Sequence, residues 1–174
     1  MKLIEAINKA KVIEQDLTSI REEIRKRSAR PSFRNGTPNE RDEVHKMVNE
    51  FSSKLADLMH LKRAIDYTNI VACASVNGTI YSLYDIIRYK NRYFPKLTEP
   101  WEAMDDIKAQ QEVDELRRRA PDPTKVTATV IRNYDPDEKR KKLRELIDQE
   151  AQMDSALQMA NAKVDLLMPP PLQN

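Results

Sequence analysis

Two stretches of this chain carry apolar residues at alternating steps of three and four, and this spacing constrains the fold more than any other feature. The stretches cover residues 3–27 and 39–68. Such steps place side chains on one stripe of an α-helix. The stripes are Leu3, Ile7, Ala10, Ile13, Leu17, Ile20 and Ile24 in the first helix, and Val44, Val48, Phe51, Leu55, Leu58, Leu61 and Ile65 in the second. Both stripes are buried most simply if the helices fold back on each other.

The connection between these helices lacks helical periodicity. Residues 28–38 contain two prolines and the turn-forming pair Asn35-Gly36. Thr37 or Asn39 can cap the second helix through its side-chain oxygen. We therefore predict an antiparallel helical hairpin.

A small β-sheet is predicted after the second helix. Asn77-Gly78 favours a two-residue turn, which indicates a β-hairpin over residues 70–81. Residues 125–134 are rich in β-branched side chains, and a strand there needs a backbone partner. We expect it to join the hairpin as a third strand.

Cys73, the single cysteine, lies in the first strand among apolar neighbours and is expected to be buried and unreactive.

The remaining segments are predicted to be helical. Residues 82–119 form a kinked helical segment, which begins with Ser82 as N-cap and Asp85 in the first turn. The helix is interrupted at Phe94 because Pro95 follows, and residues 97–101 form a connector. A long helix over 136–167 starts after Asp135 as N-cap. Its stripe is Leu143, Leu146, Met153, Leu157, Ala160, Val164 and Leu167, with Glu150 in one position. It is long enough to pack along the first two helices, and a Pro-rich tail, 168–174, follows it.

These elements predict a single elongated domain of the mainly α class. We expect an antiparallel coiled coil or three-helix bundle of long helices, with a small three-stranded antiparallel β-sheet at one end. Of the 174 residues, 33% are charged and 40% hydrophobic, which suits solvated helix faces better than a thick globular interior.

The composition argues against an enzyme. Two glycines and one cysteine provide neither a Gly-rich phosphate loop nor a multi-cysteine metal site. His45 and His60 lie about 22 Å apart along one predicted helix, so they cannot share a metal ion. Acidic neighbours such as Asp105 and Asp106 diverge on a helix and do not converge on a substrate. We therefore predict no catalytic residue, no cofactor and no metal.

The charge balance and hydropathy also bear on location. The net charge of +2 does not require a polyanionic partner, and no run reaches the roughly 20 apolar residues of a membrane span. Lysines and a glutamate interrupt the first residues, unlike a signal peptide. We expect no membrane association, and a location in the cytoplasm or in a particle assembled there, such as a virion.

Basic clusters leave open a role in nucleic-acid binding. Clusters of lysine and arginine can neutralise phosphates, although acidic residues lie near each cluster and no aromatic residues alternate with the basic ones. The candidate residues are Arg117, Arg118, Arg119, Lys139, Arg140, Lys141 and Lys142. A further cluster comprises Arg25, Lys26, Arg27, Arg30 and Arg34. An RNA- or DNA-binding accessory protein is the alternative function.

Most aromatic residues lie within 81–101 and can serve a core or an interface. Tyr84 and Phe94 are expected in the core around the sheet, and Trp101, between prolines, at an interface. The candidate partner contacts are Trp101, Phe94, Leu167, Met168, Pro169, Pro170 and Leu172. Three apolar helical stripes also favour a homo-oligomer.

The whole chain resembles a small family of bacterial and phage helical proteins that bear the label septicolysin. The resemblance rests on residues 1–6, 65–69, 77–80, 127–130 and 145–166, which include Ile65-Asp66-Tyr67-Thr68-Asn69 and Thr127-Ala128-Thr129-Val130. It implies long helices with a small sheet at one end. The label suggests a pore-forming toxin, an activity that these residues do not support. The segment 95–101 and the Met168-Pro169-Pro170-Pro171 tail depart from the family pattern.

The function predicted from the sequence is that of a non-enzymatic structural or assembly subunit. It would contact copies of itself and other structural proteins through helical faces and the tail. Because the resembled family includes phage proteins, a phage virion or a similar particle is the expected assembly.

Overall fold

A computed structural model describes residues 1–29 and 40–170, with the side chain of Glu40 excepted. The chain is mainly helical, with one small sheet. The helices are α1 (Leu3–Arg27), α2 (Glu40–Val71), α3 (Leu83–Arg88), α4 (Phe94–Glu102), α5 (Ile107–Arg119) and α6 (Pro136–Lys163). The strands are β1 (Cys73–Val76) and β2 (Thr79–Ser82). Most of the predicted connection at 28–38 lies outside the described residues, which include only its first two positions. The predicted caps Thr37 and Asn39 lie outside them as well.

Helix α1 covers the residues that the heptad spacing indicated. The Lys2 backbone amide donates to the Glu5 carboxylate at 2.9 Å, which satisfies one free amide at the helix start. The buried residues of α1 are Leu3, Ala6, Ala10 and Leu17, and the other members of the predicted stripe are half-buried. The stripe therefore identifies the inward face of this helix.

Helices α1 and α2 form the predicted antiparallel hairpin. Ala10 and Leu17 pack against Leu58, with Phe51 and Ile65 at the edges of this cluster. Ion pairs join the helices on the outside: Arg27 with Glu43 at 3.1 Å, Lys54 with Asp16 at 2.6 Å, and Lys62 with Glu14. As the residue number falls along α1 its partner's number rises along α2, so the two helices run antiparallel.

The β-hairpin forms around the predicted turn. Asn77 and Gly78 have φ values of 51° and 81°, both in the left-handed region that a tight hairpin turn requires. Val76 pairs with Thr79, and Cys73 pairs with Ser82. The hairpin starts three residues later than predicted because α2 continues to Val71.

The cap predicted at Ser82 is present. Its hydroxyl accepts a hydrogen bond from the Asp85 amide at 3.0 Å and donates to the Asp85 carboxylate at 2.7 Å. The interruption predicted at Phe94 takes a different form. Tyr89–Tyr93 is a π-helix, and α4 begins directly after it with Pro95 in its first turn, where a missing amide costs little. The connector predicted at 97–101 is therefore wrong: these residues are helical and include Pro100.

The third strand predicted over 125–134 is also wrong. Among the described residues the sheet contains two strands, which pair only with each other. Residues 126–132 have no regular secondary structure, and Ile131 is 81% exposed. β-Branched side chains favour a strand only together with cross-strand neighbours, and residues 126–132 pair with neither β1 nor β2. Here the carbonyl of Ala128 accepts from the Arg117 guanidinium instead, at 3.4 Å.

Helix α6 starts as predicted. The Asp135 carboxylate accepts from the Asp137 amide at 2.8 Å, with Pro136 at the first helical position. The helix ends at Lys163, four residues before the predicted end. Met153 and Ala160 of the predicted stripe are buried, Leu143, Leu146 and Leu157 are half-buried, and Ala156, which was not predicted in the stripe, is buried beside them.

The contacts divide the chain into two compact units, whereas the sequence analysis treated it as one elongated domain. Unit 1 comprises Met1–Asp85 and Ala156–Asn174, and unit 2 comprises Ile86–Ser155. In unit 1, Leu3, Leu83 and Ala160 form a second core cluster with Leu157 and Val164 at its edge. Only the end of α6 thus belongs to the unit that contains the helical hairpin. A continuous three-helix bundle stays a prediction.

Unit 2 combines a few buried apolar side chains with polar contacts. Ile86, Val113 and Met153 are buried. The polar contacts are Lys90 with Asp154 at 2.5 Å, Arg132 with Asp106 at 2.6 Å, and the Lys139 ammonium donating to the Met104 carbonyl at 2.7 Å.

Candidate interaction surfaces

The C-terminal segment after α6 folds back onto the start of α1. The Leu3 amide donates to the Val164 carbonyl at 2.9 Å, and the Leu166 amide donates to the Met1 carbonyl at 2.9 Å. Between them, Lys2 and Asp165 form an antiparallel bridge and an ion pair of 3.0 Å. The Lys2 ammonium also donates to the Lys163 carbonyl. The two chain ends are therefore joined in one contact, which we call the terminal clasp (residues 1–3 and 163–166).

Thr68 extends this attachment along α2. Its side chain is fully buried, and its hydroxyl accepts from the Leu167 amide at 2.9 Å while donating to the Ala64 carbonyl at 2.7 Å. The Arg63 guanidinium donates to the Pro170 carbonyl at 3.4 Å. The segment up to Pro170 is thus held by its own unit through backbone contacts.

Because this segment is held by its own unit, the predicted contact residues in it differ in how far their side chains are exposed to a partner. Leu167 and Met168 are 37% and 73% exposed, Pro169 is half-buried and Pro170 is exposed. Met168 presents the largest free apolar side chain of this group. Leu172 lies outside the described residues.

The aromatic residues of 81–101 are less buried than expected. Tyr84, predicted in the core, is 48% exposed, so that prediction is wrong. Phe94 and Trp101 are half-buried on α4. Tyr84 directly follows the first residue of a short helix, and the buried positions of that helix are taken by Leu83 and Ile86.

Helix α2 has three exposed apolar side chains in one row. Two of them, Val48 and Leu55, were predicted in the buried stripe, and that prediction is wrong for these two residues. Val48, Leu55 and Met59 are 43%, 39% and 65% exposed. They are spaced by seven and four residues, which places them on one side of the helix, beside the buried stripe that meets α1. We call these three residues the outer stripe.

The two basic clusters of unit 2 are largely neutralised by their own helices. Arg117 pairs with Asp114, Arg119 with Glu115, Arg140 with Asp137 and Lys142 with Glu145, each three or four residues away. The Lys139 ammonium donates to backbone carbonyls. Of the seven candidate nucleic-acid contacts, Arg118 and Lys141 are exposed and have no ion pair within the described part of the chain.

The residues considered for metal or thiol chemistry are dispersed. His45 and His60 are exposed on α2, and within residues 1–29 and 40–170 no three His, Cys, Asp or Glu side chains come together around a metal-sized site. Cys73 is exposed, which corrects the expectation of a buried thiol. In the hairpin register Ala74 and Val76 turn inward, so Cys73 and Ser75 point outward.

Two charged groups of these surfaces titrate outside their usual ranges. The hydrogen bond and positive charge of Lys2 lower the pKa of Asp165. The hydrogen bond to Asp16 raises the pKa of Lys54, against a smaller opposing effect of burial. Asp165 is exposed and Lys54 is half-buried, and ion pairs that water still reaches add little stability.

The sequence analysis missed Thr68 and Arg63, which hold the C-terminal segment. Their partners lie about a hundred residues away in sequence. No local pattern marks such a pairing. The one available signal is a threonine on the inward side of a helix end, a polar residue that needs a hydrogen-bond partner when buried.

None of the described helices combines the length and the apolar character needed to cross a membrane. Comparisons with protein-family models, with curated proteins and with solved structures found no match to this chain. The resemblance to the septicolysin-labelled family therefore stays a prediction, and the surfaces described above are the basis on which a function can be proposed.

Proposed function

We propose that this chain is a non-enzymatic structural subunit that assembles with copies of itself and with other structural proteins. The observation that carries this proposal is the distribution of apolar surface. Among the described residues nineteen large apolar side chains are exposed, whereas eight apolar residues larger than alanine are buried. Single exposed apolar residues are normal, but aligned ones on a helix indicate an interface.

The outer stripe of α2 is the proposed self-contact. Its three residues form a straight apolar row, and two copies of α2 packed antiparallel about a twofold axis would cover both rows. Burying such side chains contributes about 1.5 to 3 kcal/mol for each fully covered residue. A third helix of the same chain would cover this stripe in a three-helix bundle, and self-association supplies that cover from another copy.

Contacts with other structural proteins are proposed at Met168 and at Trp101 with Phe94. Met168 projects from a segment that the terminal clasp and Thr68 hold in place, so a partner that binds Met168 orders little additional chain and loses little entropy.

Because the resembled family includes phage proteins, the assembly we propose is a phage virion or a similar particle formed in the cytoplasm.

Sedimentation velocity on paired variants tests the self-contact. Leu55→Lys together with Met59→Lys places two charges in the outer stripe, and we expect it to convert the oligomer to a monomer. Ser53→Lys is the matched control, because Ser53 is exposed on another side of the same helix. An oligomer that persists in the double variant, with its helix content unchanged by circular dichroism, would refute the outer stripe as the interface.

Nucleic-acid binding by the basic clusters is the second candidate. Arg118 and Lys141 remain available for phosphate groups. The other cations of the two clusters already have local partners, and these partners weaken the positive electrostatic potential around both clusters. A nucleic-acid complex loses affinity steeply as salt rises, whereas an apolar self-contact does not. Filter binding of single- and double-stranded oligonucleotides at low and high salt separates the two functions.

A further inference from the structure

Unit 2 contains a solvent-open cavity of about 800 Å³ along the π-helix and α4. This volume lies within the range of small-molecule sites in proteins. The π-helix, Tyr89–Tyr93, forms part of its wall, and π-helical turns occur often at functional sites. The proposed self-contact uses neither element.

Three cations line one part of the cavity. Arg88, Arg92 and Lys96 follow each other at intervals of four residues on a continuous helical segment. Like charges at this spacing repel each other. No carboxylate within the described residues forms an ion pair with any of them, in contrast to Lys90 in the same segment, which pairs with Asp154.

Two carboxylates line the other end. Glu99 and Glu102 follow the cations along α4, and they too form no ion pair within the described part of the chain. At about 1.5 Å of rise per residue, Arg92 and Glu99 are separated by about 10 Å along the helix. The exposed ring of Tyr93 belongs to the part of the cavity lined by the cations, directly after Arg92, and has the Arg88 guanidinium 5.6 Å above its centre.

We propose that this cavity binds a small phosphomonoester that carries hydroxyl groups, a sugar phosphate or a mononucleotide. The phosphate would bind to Arg92 and Lys96, whose N–H groups make strong charge-assisted hydrogen bonds to such oxygens. The ligand's hydroxyl groups would donate to Glu99 and Glu102. Tyr93, beside Arg92, would provide an apolar surface for the carbon skeleton of the ligand. Nucleic acid is disfavoured because its repeated phosphates would meet the two carboxylates.

Isothermal titration calorimetry of the full chain tests this site with ribose 5-phosphate, with ribose and with inorganic phosphate. We expect saturable binding of ribose 5-phosphate and none of ribose. Arg92→Gln and Lys96→Gln should each weaken the binding about tenfold or more, since each removes a charged hydrogen-bond donor. Glu99→Gln should weaken the binding of ribose 5-phosphate and leave that of inorganic phosphate unweakened. Lys108→Gln, an exposed cation of α5 outside the cavity, is the control and should change nothing.

Three results would overturn the proposal. The first is no saturable binding of ribose 5-phosphate at millimolar concentration. The second is binding that neither Arg92→Gln nor Lys96→Gln weakens, with circular dichroism showing both variants folded. The third is a single-stranded oligonucleotide that binds more tightly than ribose 5-phosphate and loses affinity in the same two variants. Because Arg92 and Lys96 are exposed, we expect both variants to fold, and either one alone carries the test.

Discussion

The hydroxyl groups of two side chains form hydrogen bonds that connect elements of this chain. Ser82 joins the β-hairpin to α3 through its bonds with Asp85, and Thr68 joins the end of α2 to the C-terminal segment. The first was readable from the sequence, because a capping serine acts on an amide three residues away. The second was not, because its partner Leu167 is remote in sequence.

Ser82→Ala should destabilise the protein by about 0.5 to 2 kcal/mol, since it leaves the Asp85 amide without its side-chain acceptor. Urea denaturation followed by circular dichroism measures the change. Ser75→Ala, an outward position on the same hairpin, is the control and should stay within about 0.5 kcal/mol of the unaltered chain. Equal effects of the two substitutions would mean that the cap contributes nothing.

The terminal clasp should weaken in acid. Because Lys2 lowers the pKa of Asp165, the folded state favours the carboxylate, and this contribution is present above the ordinary aspartate pKa and lost as pH falls through the lowered value. An NMR pH titration of the Asp165 carboxyl carbon should give a pKa below the usual range for aspartate. In Lys2→Met it should return toward that range. An unshifted value that Lys2→Met leaves unchanged would contradict the ion pair.

At the scale of elements, periodic signals located the helices well and β propensity located a strand poorly. The stripe of α1 has both the spacing and the burial expected of an inward face, whereas Val48 and Leu55 of the α2 stripe are exposed. Asn77-Gly78 marks the turn that forms. Residues 126–132 have the composition of a strand, but a strand also requires a partner strand beside it, and composition does not show whether the fold provides one. The π-helix before Pro95 was likewise not visible in periodicity.

The core of the helical hairpin should tolerate little loss of volume. Leu17→Ala removes a buried side chain from the cluster with Ala10 and Leu58, and we expect a loss of about 2 to 5 kcal/mol in the free energy of unfolding. Val12→Ala, at an exposed position of the same helix, should change it by less than about 0.5 kcal/mol. A small effect at Leu17 would show that α1 and α2 do not pack through this stripe.

At the scale of the whole molecule, the third apolar stripe is divided between two units. Only the end of α6, from Ala156, belongs with the helical hairpin, and the outer stripe of α2 stays exposed among the described residues. The sequence predicts that the first two stripes meet, but it does not predict how much of the third joins them, because each stripe is compatible with several partners. This uncovered stripe is the physical reason for proposing self-assembly.

The predicted contact residues stay predictions, and they differ in how much of each is exposed. Met168 is exposed as a contact should be, whereas Leu167 and Pro170 use their backbones within the chain. The basic clusters were visible in the sequence, and so were the acids three and four residues away that pair with them. The cations of the cavity, Arg88, Arg92 and Lys96, were spaced regularly enough to be noticed, but the cavity itself depends on how the π-helix continues into α4.

The mass of the full chain in solution tests the central claim most directly. Size-exclusion chromatography with light scattering, at about 0.15 M and about 0.5 M salt, should give a multiple of the 20.2 kDa chain mass at both concentrations, because an apolar contact is not screened. A mass of one chain at both salts, across the accessible range of protein concentration, would contradict self-assembly through the outer stripe.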